Sequence, residues 1–379
     1  MKVLHLLSDW KWTGSSEPVV SLCEALTKEG VDVTIAYRKT PNQNFPGNTV
    51  EKEVKQRGLR CFEGFRLNRY FSLKDWLYDI KYIKRYVEHE GIDIVHTNLD
   101  HDHFLTLLSL KFYKQRPLIV RTDHKRDGIP ARPFMKWALS GTDGLVAYSR
   151  KNIDHDTKTF EYPVEKTCVI PPGVNPYKGK IEDARHVFHI DEDERIIGVV
   201  GRLKQDRGYD TILKAFKMVK GRMDKVRLLV LGRGGSRDNI VINGLIKELG
   251  IEKDVILAGY RAEDYFSMIS AFDIFVMMRA GTDGTARALR EVMSMGIPPI
   301  VSDLGMLSEF VDDGVNGFVV KPEEDVLAEK IIELLSNKEK RQGFGMSAEE
   351  TAQTRWSYKR QASTLIHFYE NILDLNVIV

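Results

Sequence analysis

The chain has 379 residues, of which 42% are hydrophobic and 29% charged. That balance excludes disordered and fibrous classes, and the length supports two sizeable cores. Net charge is +2 but uneven: residues 1–185 hold 30 Lys and Arg against 24 Asp and Glu, and the remainder holds 26 against 30. A basic first half suits an anionic acceptor or an anionic membrane surface. No nucleic-acid motif accompanies it, so nucleic-acid binding is not expected. Cys23, Cys61 and Cys168 are too few and too scattered for a disulfide framework or a metal cluster. No apolar run approaches the roughly 20 residues that cross a bilayer. The opening Met1–Asp9 reads as a buried strand rather than a signal peptide, which places the protein in the cytoplasm.

In chain order, apolar runs at Val3–Leu7, Val31–Tyr37, Ile92–Thr97, Leu118–Thr122, Gly144–Tyr148 and Thr167–Ile170 read as strands. Helical periodicity fills Glu17–Glu29, Asn48–Arg57, Leu73–His89 and His103–Phe112 between them. Alternation of this kind implies parallel strands with right-handed helical crossovers. Thr13-Gly14-Ser15-Ser16-Glu17-Pro18 joins the first strand to the first helix. There Ser16 is the expected cap and Pro18 suits the first turn. Val120-Arg121-Thr122-Asp123-His124 ends another strand in a polar cluster, with Lys125, Arg126 and Arg132 close behind.

Val169-Ile-Pro171-Pro172-Gly173-Val174-Asn175 breaks the rhythm, and Tyr177–Glu194 reads as a linker with a lead-in helix. Strands resume at Ile196–Val200, Arg227–Leu231, Val255–Leu257, Ile274–Met277, Pro299–Val301 and Gly317–Val320. Two segments stand out. Val199-Val-Gly201-Arg202-Leu203-Lys-Gln-Asp-Arg207-Gly208 places two cations five apart beside glycine turns, where they can converge on a diphosphate. Asp283-Gly284-Thr285-Ala286-Arg287 leads into a helix carrying Glu291. It presents small residues and unpaired amides where a phosphate would bind, and it places Glu291 about two turns in. Arg227–Gly232 and Asp254–Tyr260 are further apolar runs closing on glycine. A last helix covers Tyr358–Leu373.

Asp283 and Glu291 with seven residues between them resemble the acid-x7-acid signature of the retaining glycosyltransferases of family 4, which have the GT-B fold. Asp283 replaces the usual first Glu, and Thr285-Ala286 replace an aromatic residue and a second glycine. Gly201–Gly208 is similar to the family's Gly-Arg-Leu-x3-Lys-Gly element, with Arg207 in place of Lys. Val169–Asn175 resembles its Ile-Pro-Asn-Gly-Val-Asp element, with Pro172 in place of Asn. Gly14-Ser15 stands where the family has two glycines. Asp303–Glu309 and Asp313–Phe318 resemble family turns.

The resemblance implies an α/β chain of two facing Rossmann-like doubly wound domains with a cleft between them. Residues 1–176 form an acceptor domain, rejoined by the C-terminal helix within 357–379, and residues 186–356 a donor domain. Sugar would pass, with retained anomeric configuration, from a nucleotide diphosphate sugar to a glycan, glycolipid or lipid-linked acceptor. Hexosyl transfer in cell-envelope or polysaccharide biosynthesis fits. The chemistry would fall to His124, Arg202, Arg207 and Asp283. The donor would be held by Gly14, Ser15, Gly232, Tyr260, Gly284, Thr285, Ala286, Arg287 and Glu291. His124 would donate a hydrogen bond to the donor, its charge tunable near neutral pH. Asp100, His101, Lys125 and Arg126, with His103, are acceptor candidates. His96–His103 lacks metal spacing. Asp154-His155-Asp156 imitates the Asp-x-Asp motif of the other main glycosyltransferase fold but lies on a helix before the domain boundary, the wrong setting for a divalent ion, so no metal and no cofactor is expected. Trp76, Tyr78, Tyr82, Phe112, Tyr113, Phe134 and Trp137 suit either a membrane surface, with peripheral association at its inner face, or helix packing. Rivals are a sugar-nucleotide epimerase or a phosphorylase on this fold, though no pyridoxal-lysine segment supports the latter. A non-catalytic sugar-nucleotide-binding protein is another. A Rossmann oxidoreductase would need a Gly-x-Gly-x-x-Gly of which only Gly14 is present.

Overall fold

The structure, a computed structural model, describes residues 1–41, 45, 47–70, 72–281 and 286–377. Among the described residues twelve strands form two six-stranded sheets, all pairs parallel. The chain divides into two compact units: residues 1–173 with the C-terminal segment from Ser357, and residues from Val174 to Trp356.

In the first unit β1 (Lys2–Leu7), β2 (Asp32–Tyr37), β3 (Ile94–Thr97), β4 (Leu118–Asp123), β5 (Gly144–Ala147) and β6 (Thr167–Val169) lie in the order β2-β1-β3-β4-β5-β6. These strands are buried almost throughout except for β6 and the first residues of β1 and β2, as expected of a sheet with helices on both faces. The C-terminal helix Tyr358–Val377 packs on one face among Val3, Ile94, Val120 and Val146. Its Phe368 ring occupies the space beside Gly144, where a Cβ would stand only 3.0 Å away. Tyr369, fully buried, bonds His96 through its hydroxyl, and Tyr358 donates to Glu17 at 2.6 Å.

In the second unit β7 (Arg195–Val200), β8 (Val226–Leu231), β9 (Val255–Gly259), β10 (Ile274–Met277), β11 (Pro299–Ser302) and β12 (Phe318–Val320) take the order β12-β11-β10-β7-β8-β9. Relabelled from its own first strand this is 3-2-1-4-5-6, the dinucleotide-type winding, whereas the first sheet has the 2-1-3-4-5 winding with one more strand. The halves are therefore related but not duplicates. Each order reverses at one point: between β1 and β3 in the first unit, and between β7 and β10 in the second. Crevices at such reversals, beyond the carboxyl ends, are where ligands bind in open α/β sheets.

Three local expectations need correction. The lead-in helix within 177–194 is a single 3-10 turn, His186–Phe188. The third crossover helix starts at Asp100, not His103, because the carboxylate of Asp102 accepts the amides of Asn98 and Leu99 (3.1 and 2.8 Å) and fixes the entry turn. Ser16 is the first helical residue and does not cap its helix. Its hydroxyl instead accepts the Thr13 amide (2.6 Å) and donates to the Lys11 carbonyl (2.8 Å), closing the loop after β1 on itself.

Candidate active site

At the reversal of the second sheet the edge is built by glycines. Gly201 follows β7 with φ +156° and Gly232 follows β8 with φ +144°. A Cβ on Gly232 would sit 1.8 Å from the Gly201 carbonyl oxygen, so the two turns touch through backbone alone. Gly201 donates to Leu231 at 2.9 Å and Gly232 to Gly259 at 2.8 Å, which aligns the ends of β7, β8 and β9. Gly208, at φ +73°, opens helix Tyr209–Lys220 and lies so near Met278 that a Cβ would be 2.6 Å from that side chain. Arg202 is exposed, and Arg207 is half-buried. Tyr260 is 70% exposed, with the Arg233 guanidinium 5.6 Å from its ring. The edge is thus kept free of side chains by its glycines and has the exposed Arg202 and the half-buried Arg207 beside it, charges that suit a diphosphate.

After β10, Asp283, Gly284 and Thr285 lie outside the described residues. The helix that follows is Arg287–Ser294, preceded by Ala286 in the left-handed region at φ +44° and fully buried. That conformation costs a non-glycine residue about 1–2 kcal/mol. Glu291 is the fifth residue of this helix, so it stands one turn in rather than two, because the helix starts three residues later than expected. Its carboxylate is 7% exposed and both oxygens are engaged. Arg287 donates Nε to one oxygen and Tyr265 donates its hydroxyl to the other, each at 2.7 Å. A carboxylate has about four acceptor positions, so this pair orients Glu291 and leaves room for two ligand hydroxyls. Burial, and then the neighbouring Glu291 charge, hold the Tyr265 phenol well above its usual range, so it stays a donor.

The first sheet's edge is different. His124 is buried, and both ring nitrogens have partners: Nε2 meets Asn98 Oδ1 at 3.2 Å and Tyr148 places its hydroxyl 2.9 Å from Nδ1. Asn98 donates its amide to the Leu6 carbonyl, which turns its oxygen to the ring and makes Nε2 the protonated nitrogen. Burial, with Arg121 and Lys125 adding to it, lowers the imidazole to about 3. The expectation of a charge tunable near neutral pH is therefore corrected: the ring is neutral, and its donor is spent on Asn98.

His103 is likewise not an acceptor contact. It is fully buried, accepting from Arg121 at 2.9 Å and facing the Thr142 hydroxyl at 2.8 Å. Arg121, also buried, reaches Asp100 at 2.5 Å, and Lys125 shares that carboxylate at 3.1 Å. Asp100 and Lys125 thus form one ion cluster around a buried guanidinium. The two cations hold the Asp100 carboxyl down at about 2 against its burial. Arg126 pairs with Asp127 at 3.0 Å. His101 is buried beside Trp76, ring centroids 5.3 Å apart. Gly14 and Ser15 lie in the half-buried loop after β1, where Ser15 meets the Thr13 hydroxyl at 3.1 Å. The sequence reading missed Arg121, Asn98 and Tyr265. Arg121 sits in a strand of apolar pattern, where an arginine must have buried partners, and that was the available signal.

Two sheets of this kind define an α/β protein of two Rossmann-like units. Residues 180–351 match the family described as Glycosyl transferases group 1, and residues 12–178 match Glycosyltransferase Family 4. The chain belongs to the group 1 glycosyltransferases, and its fold is the GT-B arrangement of two Rossmann-like domains. It is 27% identical to spore coat protein SA of Bacillus subtilis, over 56% of this chain and 58% of that protein. It is 25% identical to an uncharacterised glycosyltransferase of Methanocaldococcus jannaschii, over 61% and 60%. The chain thus spans about three fifths of the length of these curated relatives. Among solved structures, Anabaena HepE in complex with UDP matches with TM-score 0.79 at 18% identity, over 97% of this chain and 99% of that one.

Proposed function

We propose that the protein transfers a sugar from a nucleotide diphosphate sugar to a glycan, glycolipid or lipid-linked acceptor, with retained configuration and without metal ion or cofactor. The observation that carries this reading is the edge at the reversal of the second sheet. Gly201 and Gly232 keep side chains away from it, Arg202 and Arg207 stand beside it, and Glu291 is oriented by Arg287 and Tyr265. The UDP complex of HepE, on the same fold, supports it. The bond from the anomeric carbon to the diphosphate breaks and one to the acceptor oxygen forms on the same face, while a diphosphate oxygen takes the acceptor's proton. Arg202, Arg207 and Arg287 supply the positive charge that stabilises the leaving diphosphate. Glu291 holds the ribose hydroxyls and Asp283 those of the sugar. Neutral His124 fixes Asn98 rather than acting as a charged group.

The test is thermal shift against UDP-, GDP-, ADP- and dTDP-sugars, with and without EDTA. A ligand at 100 times its dissociation constant adds about 2.7 kcal/mol of stability. A base-selective shift that survives EDTA and disappears in Glu291→Ala is expected. No shift with any of the four would overturn the reading in favour of a binding or assembly protein without donor chemistry.

The working place we propose is the cytoplasmic face of a membrane. No helix among the described residues is long and apolar enough to cross one. Phe112 and Phe134 are 86% and 71% exposed, and Trp137 is exposed one turn beyond Phe134. Lys111 lies 5.6 Å from the Phe112 ring and 6.0 Å from that of Trp137. Aromatic rings interleaved with cations suit an anionic lipid surface. Trp76 and Tyr113 instead pack against the core. Equal sedimentation with anionic and neutral liposomes at low salt would remove this part of the reading.

A further inference from the structure

Beyond the carboxyl end of β2 lies a pocket of about 360 Å³, lined among others by Arg38, Lys39, Glu63, Arg66, Asn68 and Asp75. Most of its charges are matched. Glu63 faces Lys39 at 3.2 Å and Lys55 at 3.4 Å, Asp75 takes Arg66, and nearby Asp9 takes Arg69 at 3.0 Å. Arg38 has no ion-pair partner among the described residues, and its Nη1 is buried with no hydrogen-bond partner. Its amide donates to the Leu7 carbonyl at 3.1 Å, which anchors the residue to the end of β1. A charged donor left buried and unpaired is costly for the fold, so its presence points to a group that arrives from outside.

A second orphan lies close by. Nε2 of His101, in a residue only 9% exposed, is also buried without a partner. Burial, and then the Arg38 charge, hold that imidazole down at about 4, so at neutral pH it offers a neutral N–H rather than a second repelling cation. The exposed ring of Tyr70 is flanked by the guanidinium groups of Arg38 and Arg69 at 5.4 and 5.6 Å. Its phenol is drawn below the usual range by Arg69 first, with Arg38 and Lys11 adding to it. Cations from the loop after β1, the end of β2 and the segment before helix Leu73–Glu90 therefore converge on one place, all within the first unit.

We propose that this pocket binds a phosphate group carried by the acceptor, with Arg38 as its anchor. The inference rests on the transferase reading and deepens it by naming the acceptor's class: a phosphate-bearing hydroxyl compound, free or as a lipid headgroup. A planar guanidinium with one free edge pairs with two phosphate oxygens at once. A pocket of this volume has room for the phosphate and the polyol or sugar behind it.

The experiment titrates wild type, Arg38→Gln and Arg38→Lys with glycerol 3-phosphate and with glycerol as neutral control, and measures binding to phosphatidylglycerol and phosphatidylcholine vesicles. UDP- and GDP-sugar thermal shifts are run in parallel as the measure of an intact fold. Glycerol 3-phosphate is expected to bind and glycerol not to. Arg38→Gln should weaken that binding at least tenfold and Arg38→Lys by less, with nucleotide-dependent shifts unchanged. Binding restricted to phosphatidylglycerol vesicles, and lost in Arg38→Gln, would identify a lipid headgroup as the source. Arg38→Gln binding these probes as wild type does would overturn the proposal. So would a wild type that fails to distinguish glycerol 3-phosphate from glycerol and phosphatidylglycerol from phosphatidylcholine. Phosphate binding without any nucleotide-sugar shift would refute the transferase reading and leave the pocket standing.

Discussion

The carboxyl edges of the two sheets solve opposite problems. In the first unit the polar residues are many and inward: Arg121, His103, Asp100, Asn98, His124 and Tyr148 bond one another at or below the surface. In the second unit the edge carries glycines, exposed Arg202 and Tyr260, and one oriented acid, Glu291. A network whose members satisfy one another is rigid and specific but has little left for a ligand. An edge of side-chain-free glycine turns with an exposed cation beside it costs the fold little and leaves room for a ligand at once. Residue type alone does not tell these apart, since arginines, histidines and acids stand at strand ends in both units. What separates them is whether each group's hydrogen bonds are spent inside the protein. Arg38 and His101 belong to the first edge and keep atoms unspent, as the buried Arg121 does at its Nε, but Arg38 does so on the wall of a pocket.

The comparison breaks most sharply at Asp100. If its carboxylate serves the buried Arg121, Asp100→Ala leaves an uncompensated interior charge and costs about 3–5 kcal/mol of stability. Were it a ligand contact, stability would hardly change. Urea unfolding followed by amide exchange in residues 1–173 distinguishes the two, with the nucleotide-sugar shift of the second unit expected to persist. On the other edge, Gly232→Ala should cost about 2–4 kcal/mol, because φ +144° is strained for alanine and the methyl meets the Gly201 carbonyl oxygen. The same change should abolish the nucleotide-sugar shift by parting the two turns. Thermal melts with and without ligand check both effects.

The strands were legible to within two residues at most ends, because buried parallel strands are continuous apolar runs bounded by glycine and polar turns. Helix starts were less so. Helix Arg287–Ser294 begins after Ala286 in a left-handed conformation that no propensity favours, and this displaced Glu291 by a turn. Pro133–Ser140, at eight residues, is too short for its periodicity to stand out. Within the site, Gly201, Gly232, Arg202 and Glu291 were readable because their spacing is local. Asn98 turning His124, or Tyr265 turning Glu291, joins residues 26 apart in sequence. Pairing of that kind depends on which strands become neighbours, and the pattern along the chain does not encode it.

Acid should unfold the two edges unequally. Burial lowers His5 and His124 to about 3 and His101 to about 4, and holds His96 and His103 well below the usual value. All five belong to the first unit. Above pH 6.5 these rings are neutral in both folded and unfolded chains. Below it the unfolded chain takes up protons that the fold refuses. Each histidine then removes about 1.4 kcal/mol per pH unit until its folded pKa is reached. Asp102 and Asp123, raised by burial to about 7, act in the opposite sense between pH 7 and 4, since there the folded state holds the extra protons. Asp79 and Asp156, also raised by burial, act in the same sense as these two, so five histidines against four carboxylates leave a smaller net loss between pH 6 and 5, in residues 1–173. His124→Gln should flatten the profile by about one histidine's worth. Amide exchange against pH reads this directly, and equal acid sensitivity in the two units would contradict the contrast drawn between their edges.

The smallest expected effect sharpens the claim that edge glycines are needed for close approach rather than for chain freedom in general. Gly244 lies inside helix Ser236–Glu248, and a Cβ there meets nothing within 4 Å. Alanine lowers the entropy of the unfolded chain and suits a helix interior, so Gly244→Ala should add about 0.5–1 kcal/mol. It should leave the nucleotide-sugar shift as in wild type, because that helix face is open to solvent. With Gly232→Ala it forms a matched pair: one methyl, one unit, two glycines, opposite signs. A stabilised Gly232→Ala would mean that the turns after β7 and β8 can separate without harm, and the glycine edge would then lose its claim to be the donor site.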